Sequence, residues 1–254
     1  MACFSGCANR CADSARRHRF SLRNVAVTGP PQLRRPGPFT RPVHAARSPG
    51  PSKLAAVETT TQTPARRRPT TRLALTRHGQ TDWNAASRLQ GTTDIPLNDV
   101  GRQQAVDQAN RFEADDWDGV VSSPLSRASE TAQIIARELG IPLEGTYPDL
   151  IERAYGEGEG MIVDEALGRW GDGGIPGEES RESVAERGTR ALQLVTRQFP
   201  GASLIVVAHG TLIREVLRRL TDGDIPPILN ATTSLIEYSG GEWNVVTVND
   251  EAFA

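Results

Sequence analysis

Four side chains spread along this chain, Arg77, His78, Arg127 and His209, have the chemistry to act together on one small anion. An imidazole can attack as a nucleophile or move a proton. A guanidinium is a planar fork of donors that matches the oxygens of a phosphate. The two histidines share a local pattern. Leu73-Ala74-Leu75-Thr76 stops at Arg77-His78-Gly79, and Leu204-Ile205-Val206-Val207-Ala208 stops at His209-Gly210. Of the four histidines, only these two lie beyond residue 70.

An apolar run that ends on a charge and a glycine reads as a buried strand delivering its last residues to a sheet edge. In open α/β sheets, ligands bind outside the carboxyl ends of strands. Gly79 is expected to let the backbone turn without a Cβ penalty. Asn98 or Asp99 can cap a helix whose apolar face is Ala105, Val106, Ala109 and Phe112. Gly119-Val120-Val121 is a short second strand, and Ser122-Ser123-Pro124 opens a stronger helix. Leu125, Ala128, Ala132, Ile135 and Leu139 form its stripe, with Gly140 as the stop. Arg127 lies in the first turn of that helix, where a cation opposes the dipole unless an anion sits between it and the free N–H groups.

Leu150 to Gly160 reads as a loop, and residues 161–179 as a lid-type loop. Ser180 or Ser183 starts a further helix with Val184, Gly188, Ala191 and Val195 inward. Leu204–Ala208 is a strand covered on both faces, and Leu212–Leu220 returns as a helix. Ser234–Tyr238 and Trp243–Val248 close the chain as a hairpin through Gly240-Gly241. This alternation predicts an α/β fold, a three-layer α/β/α sandwich with a mostly parallel central sheet.

Charge is split unevenly. Residues 1–70 hold thirteen of the 29 Lys and Arg but two of the 31 acids, so they carry about +11 and the remainder about −13. The first segment is rich in Arg, Pro, Ser and Thr without apolar periodicity, and reads as a disordered basic arm. Its composition suits a transit peptide, and tracts such as Arg66-Arg67-Arg68 could touch nucleic acid. Arg16-Arg17 before Phe20 resembles a twin-arginine signal without its apolar region. One lysine, Lys53, against 28 arginines points to a GC-rich coding sequence, in which Val57 reads as an alternative start. Cys3, Cys7 and Cys11 all lie in the arm, and their spacing is not that of a zinc site. No run of 18 apolar residues exists. The expectation is a cytoplasmic domain over 71–254, unless residues 1–70 are a targeting segment, with its oligomeric state open. Its acidity disfavours nucleic acid as a partner.

Arg77-His78-Gly79-Gln80-Thr81 followed by Asn84, with the later His209-Gly210, resembles the signature of the histidine phosphatase superfamily, the phosphoglycerate mutase-like family. The likeness runs from about Arg72 to the C-terminus. It implies a metal-independent phosphomonoesterase, needing no cofactor, for a small phosphorylated metabolite. His78 is then the nucleophile that forms a phosphohistidine, with His209 opposite and Glu152 as the acid and base. Arg77, Arg127, Asn84, Gly210 and Thr211 hold the phosphate. Glu157 or Glu159 is the fallback acid. Gly158 stands where the family has an aromatic, which removes a flat contact from the leaving-group wall.

The alternatives are a bisphosphoglycerate-dependent mutase and a non-catalytic phosphate-binding relative. Family mutases carry a long insertion between acid and second histidine. Here Glu152 and His209 are 57 positions apart, with no lysine between them.

Overall fold

A computed structural model describes residues 69–253; all but the last two residues of the predicted arm lie outside them. The elements are β1 (Thr71–Arg77), α1 (Asp82–Ala85), α2 (Asp99–Ala109), β2 (Gly119–Ser122), α3 (Ser126–Leu139), β3 (Leu143–Thr146), α4 (Val163–Trp170), α5 (Arg181–Gln198), β4 (Ser203–Ala208), α6 (Gly210–Thr221), β5 (Thr233–Ser239), β6 (Glu242–Val245), β7 (Thr247–Val248) and β8 (Glu251–Ala252). Six strands form one sheet in the order β3-β2-β4-β1-β5-β6. β1, β2, β3 and β4 run parallel, while β5 and β6 are antiparallel additions on the β1 side.

Alternation along the strands creates the layers. Leu73, Leu75, Leu204 and Val206 point to one face, where they join Val184, Leu192, Leu212 and Val216 of α5 and α6. Ala74, Val120, Ile205 and Val207 point to the other, against Ala128, Ala132 and Ile135 of α3 and Ala109 of α2. Strands covered on both sides must be apolar at every position, and β4 is buried from Leu204 to Ala208. Each such leucine contributes about 2 to 3 kcal/mol through burial. Gly188 lets α5 and α6 approach, since a Cβ there would stand 2.5 Å from Val216 Cγ2.

Register brings the chemistry together. Arg77 pairs with Ala208 across β1 and β4, so His78 and His209 are the next residues off adjacent strands. The His78 N–H donates to Ala208 O at 3.1 Å, and the Ser123 N–H to Val207 O at 2.9 Å. Three parallel strands therefore end side by side at one edge.

Several expectations are corrected. Residues 161–179 are not a plain loop, for Val163–Trp170 is helical, with Ala166 buried beneath it. The flanking glycines mask its short period. The strand β3 carries no apolar signal because it is an exposed edge. The predicted last strand breaks at Val246, and Thr247–Val248 turns back onto Glu251–Ala252 as a separate hairpin. Gly79 is needed for close approach and not for turning, because a Cβ there would lie 2.3 Å from Gly101 O of α2. Asn98 is the cap of α2, its Oδ1 accepting from the Gly101 N–H at 2.8 Å. Among the described residues, no helix is long and apolar enough to cross a membrane.

Candidate active site

His78 follows β1 and is 3 % exposed. Its Nδ1 lies 2.6 Å from Gly79 O. A carbonyl only accepts, so Nδ1 carries the proton and Nε2 keeps its lone pair. His209 follows β4 with its ring centroid 5.2 Å from that of His78, edge to face. Its Nε2 pairs with Ser123 Oγ at 2.8 Å, whereas its Nδ1 is buried with no protein partner. Burial holds both rings well below the ordinary histidine value, with Arg77 and Arg127 adding to the effect at each. His78 therefore stays neutral and able to attack near pH 7.

The two guanidiniums are anchored by part of their donor sets. Arg77 Nη1 donates to Ile228 O at 2.7 Å. Arg127, fully buried, donates to Thr93 O and Gly91 O at 2.9 and 2.8 Å. In each, Nε is buried with no partner. Burial lowers both pKa values, though both arginines stay cationic. One of the N–H groups at the start of α3, expected to face an anion, is taken up within the protein. Asp94 Oδ1 accepts from the Ser126 N–H and Oγ–H at 2.8 and 2.7 Å, and this carboxylate offsets the cation at Arg127.

Glu152 is 9 % exposed and caps α6 from outside that helix. Its Oε1 accepts from the Arg153 and Leu212 N–H groups at 2.8 and 3.1 Å, and Oε2 from the Thr211 N–H at 3.1 Å. Of the two expected backbone donors to phosphate, Gly210 or Thr211, the Thr211 N–H is thus directed to Glu152. The Thr211 Oγ1 is engaged as well, by Tyr155 OH at 2.6 Å. Gly210 retains its backbone N–H at the first position of α6. A Cβ on Gly210 would meet Arg77 Nε at 3.1 Å, so glycine here makes room for the guanidinium.

Asn84 is oriented by a capping box with Thr81: its Oδ1 accepts from the Thr81 N–H, and its own N–H donates to Thr81 Oγ1, both at 3.1 Å. Its Nδ2 is left for the pocket. Asn230, which no sequence signal marks, holds the His78 carbonyl at 3.0 Å. Of the fallback acids, Glu157 is exposed, and Glu159 ties one loop to another. Burial alone would raise the Glu159 pKa, but hydrogen bonds from Thr93, Thr92 and the Tyr155 N–H together lower it.

The pocket, of about 650 Å³, is lined by Arg77, His78, Asn84, Arg127, Glu152, Gly210 and Thr211, and His209 packs behind. A profile of the histidine phosphatase superfamily (branch 1) matches residues 73–251. The chain belongs to this superfamily. It is 37 % identical over 183 residues to the uncharacterized phosphatase PhoE of Bacillus subtilis, covering 70 % of this chain and 94 % of that one. It is 34 % identical over 194 residues to a metal-independent phosphoserine phosphatase of Arabidopsis thaliana, covering 71 % and 82 %. The solved structure of YhfR from Bacillus stearothermophilus superposes with a TM-score of 0.64 at 28 % identity, over 72 % of this chain and 98 % of that one. Phosphoglycerate mutase-like proteins match as well.

Where the histidine phosphatase pattern has an aromatic, this chain does not leave a gap. Gly158 is buried, and a Cβ on it would lie 2.8 Å from Ile175 Cδ1 and 3.2 Å from Leu89 Cδ1. These two side chains, with Val163 and Leu167 of α4, supply the apolar wall that the sequence reading expected to be lost. Four more arginines line the same pocket. Arg153 and Arg181 are paired with Glu178 and Glu215, both at 2.8 Å. Arg88 and Arg214 make no ion pair among the described residues.

Proposed function

We propose that this histidine phosphatase family member is a phosphomonoesterase that works without a metal through a phosphohistidine at His78. The observation that carries the reading is a set of buried, unpartnered nitrogens around one pocket: Arg77 Nε, Arg127 Nε and His209 Nδ1. Unsatisfied donors in a protein interior are rare. Two guanidinium N–H donors without acceptors, beside an unpartnered imidazole nitrogen of His209 and the free lone pair of His78, fit a bound dianion.

In the first step His78 Nε2 attacks phosphorus and the ester P–O bond breaks. Glu152 gives its proton to the leaving alkoxide. In the second step Glu152 takes a proton from water, the hydroxide oxygen bonds to phosphorus, and the P–N bond breaks. Inorganic phosphate leaves and the imidazole is neutral again. Arg77, Arg127, Asn84 Nδ2 and the Gly210 N–H hold the oxygens throughout. His209 Nδ1 binds the phosphoryl group as a donor once the dianion offsets the field of the arginines. Such fixed charges are usually the largest contribution to the rate, about 10²–10³ per donor. Proton transfer at Glu152 adds about 10²–10⁴.

The leaving group is an organic alcohol that meets the apolar wall and, at Arg88 and Arg214, carries a negative charge of its own. A mutase would satisfy the same two arginines with a second phosphate, so both activities belong in the test. Phosphate release from charged and neutral monoesters is measured with EDTA present, alongside a mutase assay primed with bisphosphoglycerate. Rapid quenching is expected to trap an acid-labile phosphoryl group on the wild type and none on His78→Ala, with hydrolysis reduced at least ~10³-fold. Activity abolished by chelation would refute the mechanism.

A further inference from the structure

We propose that Arg187, on α5, is a positioning residue that fixes Glu152 for proton transfer to the leaving group; this rests on the acid role given to Glu152 above. Arg187 is 8 % exposed. All five N–H donors of its guanidinium are engaged by protein acceptors. Nε and Nη2 grip the carboxylate of Glu179, both at 2.9 Å. Nη1 donates to Asp149 O and Ile151 O at 2.9 and 2.5 Å, and the second Nη2 hydrogen goes to Glu152 O at 3.0 Å. No donor remains for a substrate; apart from its charge, which adds to the field at His209 and which a lysine would keep, Arg187 acts through what it holds.

What it holds is the backbone leading into the acid. Three successive grips, on residues 149, 151 and 152, leave the Glu152 main chain little freedom. Glu179 extends the clamp, because its N–H donates to Ala154 O and its carbonyl accepts from Arg153 Nε at 2.9 and 2.7 Å. Ser183 Oγ donates to the same Glu179 carboxylate at 2.8 Å. The chain on both sides of Glu152 is thus tied to the first two turns of α5. From that position the Glu152 carboxylate accepts from the Thr211 and Leu212 N–H groups of α6, and a shift of about 1 Å in a reacting group can lower a rate by about 10². A lysine at 187 keeps the charge but cannot fork onto three carbonyls and a carboxylate at once.

The test separates proton delivery from general damage. For each enzyme kcat/KM is measured on an alkyl phosphate, whose alkoxide needs a proton to leave, and on p-nitrophenyl phosphate, whose leaving group does not. Because kcat/KM runs only through phosphorylation of His78, the ratio of the two esters reports the acid alone. It is also independent of the fraction of folded enzyme. Arg187→Lys is expected to lower the alkyl value by roughly 10²-fold and the nitrophenyl value by less than about threefold. Glu179→Gln, a milder change, should move the ratio in the same direction. In a Glu152→Gln background, Arg187→Lys should leave the ratio where Glu152→Gln put it. Equal losses on both esters, or a further drop in the double variant, would overturn the positioning role. A Glu152→Gln enzyme with the wild-type ratio would instead overturn the acid assignment beneath it.

Discussion

His78 and His209 illustrate how a pair of rings can be useful and destabilising at once. In the unfolded chain both titrate near 6.5, whereas burial and the two arginines keep both well below that value in the fold. Below about pH 6.5 the unfolded chain therefore binds more protons than the folded one, and stability falls as the medium is acidified. The loss is about 1.4 kcal/mol per pH unit for each ring, down to its folded pKa. Thermal melting of the ligand-free protein from about pH 7.5 to about pH 5 should show a falling Tm, with the slope roughly halved in His209→Gln. A flat profile would contradict a buried, neutral pair. Tyr155 lies at the opposite extreme: burial and nearby Glu152 push it up to about 12, so its hydroxyl stays protonated beside Thr211 across this range.

At the scale of elements, the wall beside Gly158 yields a sharp expectation. Gly158→Phe restores the family's aromatic but collides with Ile175 and Leu89, and should destabilise the protein by about 1–3 kcal/mol in urea unfolding. Adding Ile175→Ala should recover more than about 0.5 kcal/mol beyond additivity, and strict additivity would show that the two do not compete for space. The strand ends were legible from sequence because an apolar run interrupted by Arg-His-Gly has few other physical meanings. The parallel core followed from β1 and β4 being apolar at successive positions. Ser123, Asn230, Asp94 and Arg187 were not legible as partners of the site. Each acts on a residue 32 or more positions away, and nothing in local periodicity encodes such a meeting. Glu152 was legible, but its three N–H donors were not, since two of them come from a helix about 60 residues further on.

Across the whole molecule, every residue placed in the site falls within the family match at residues 73–251, while most of the positive charge excess lies before residue 71. A chain beginning at Pro69 is accordingly expected to keep kcat/KM within about twofold and Tm within ~2 °C of the full protein, by steady-state assay and melting. A larger loss would assign residues 1–68 a part in the domain. The domain also starts two of its helices on borrowed carboxylates, Asp94 for α3 and Glu152 for α6. For Glu152 this joins order to chemistry. On the proposed mechanism, proton transfer from Glu152 sets a negative charge opposite the first amides of α6, so departure of the alcohol coincides with the best satisfaction of that turn. Turnover would then read as a rhythm of loosening and tightening at Thr211 and Leu212, with the firmest grip while the phosphoryl group rides on the imidazole.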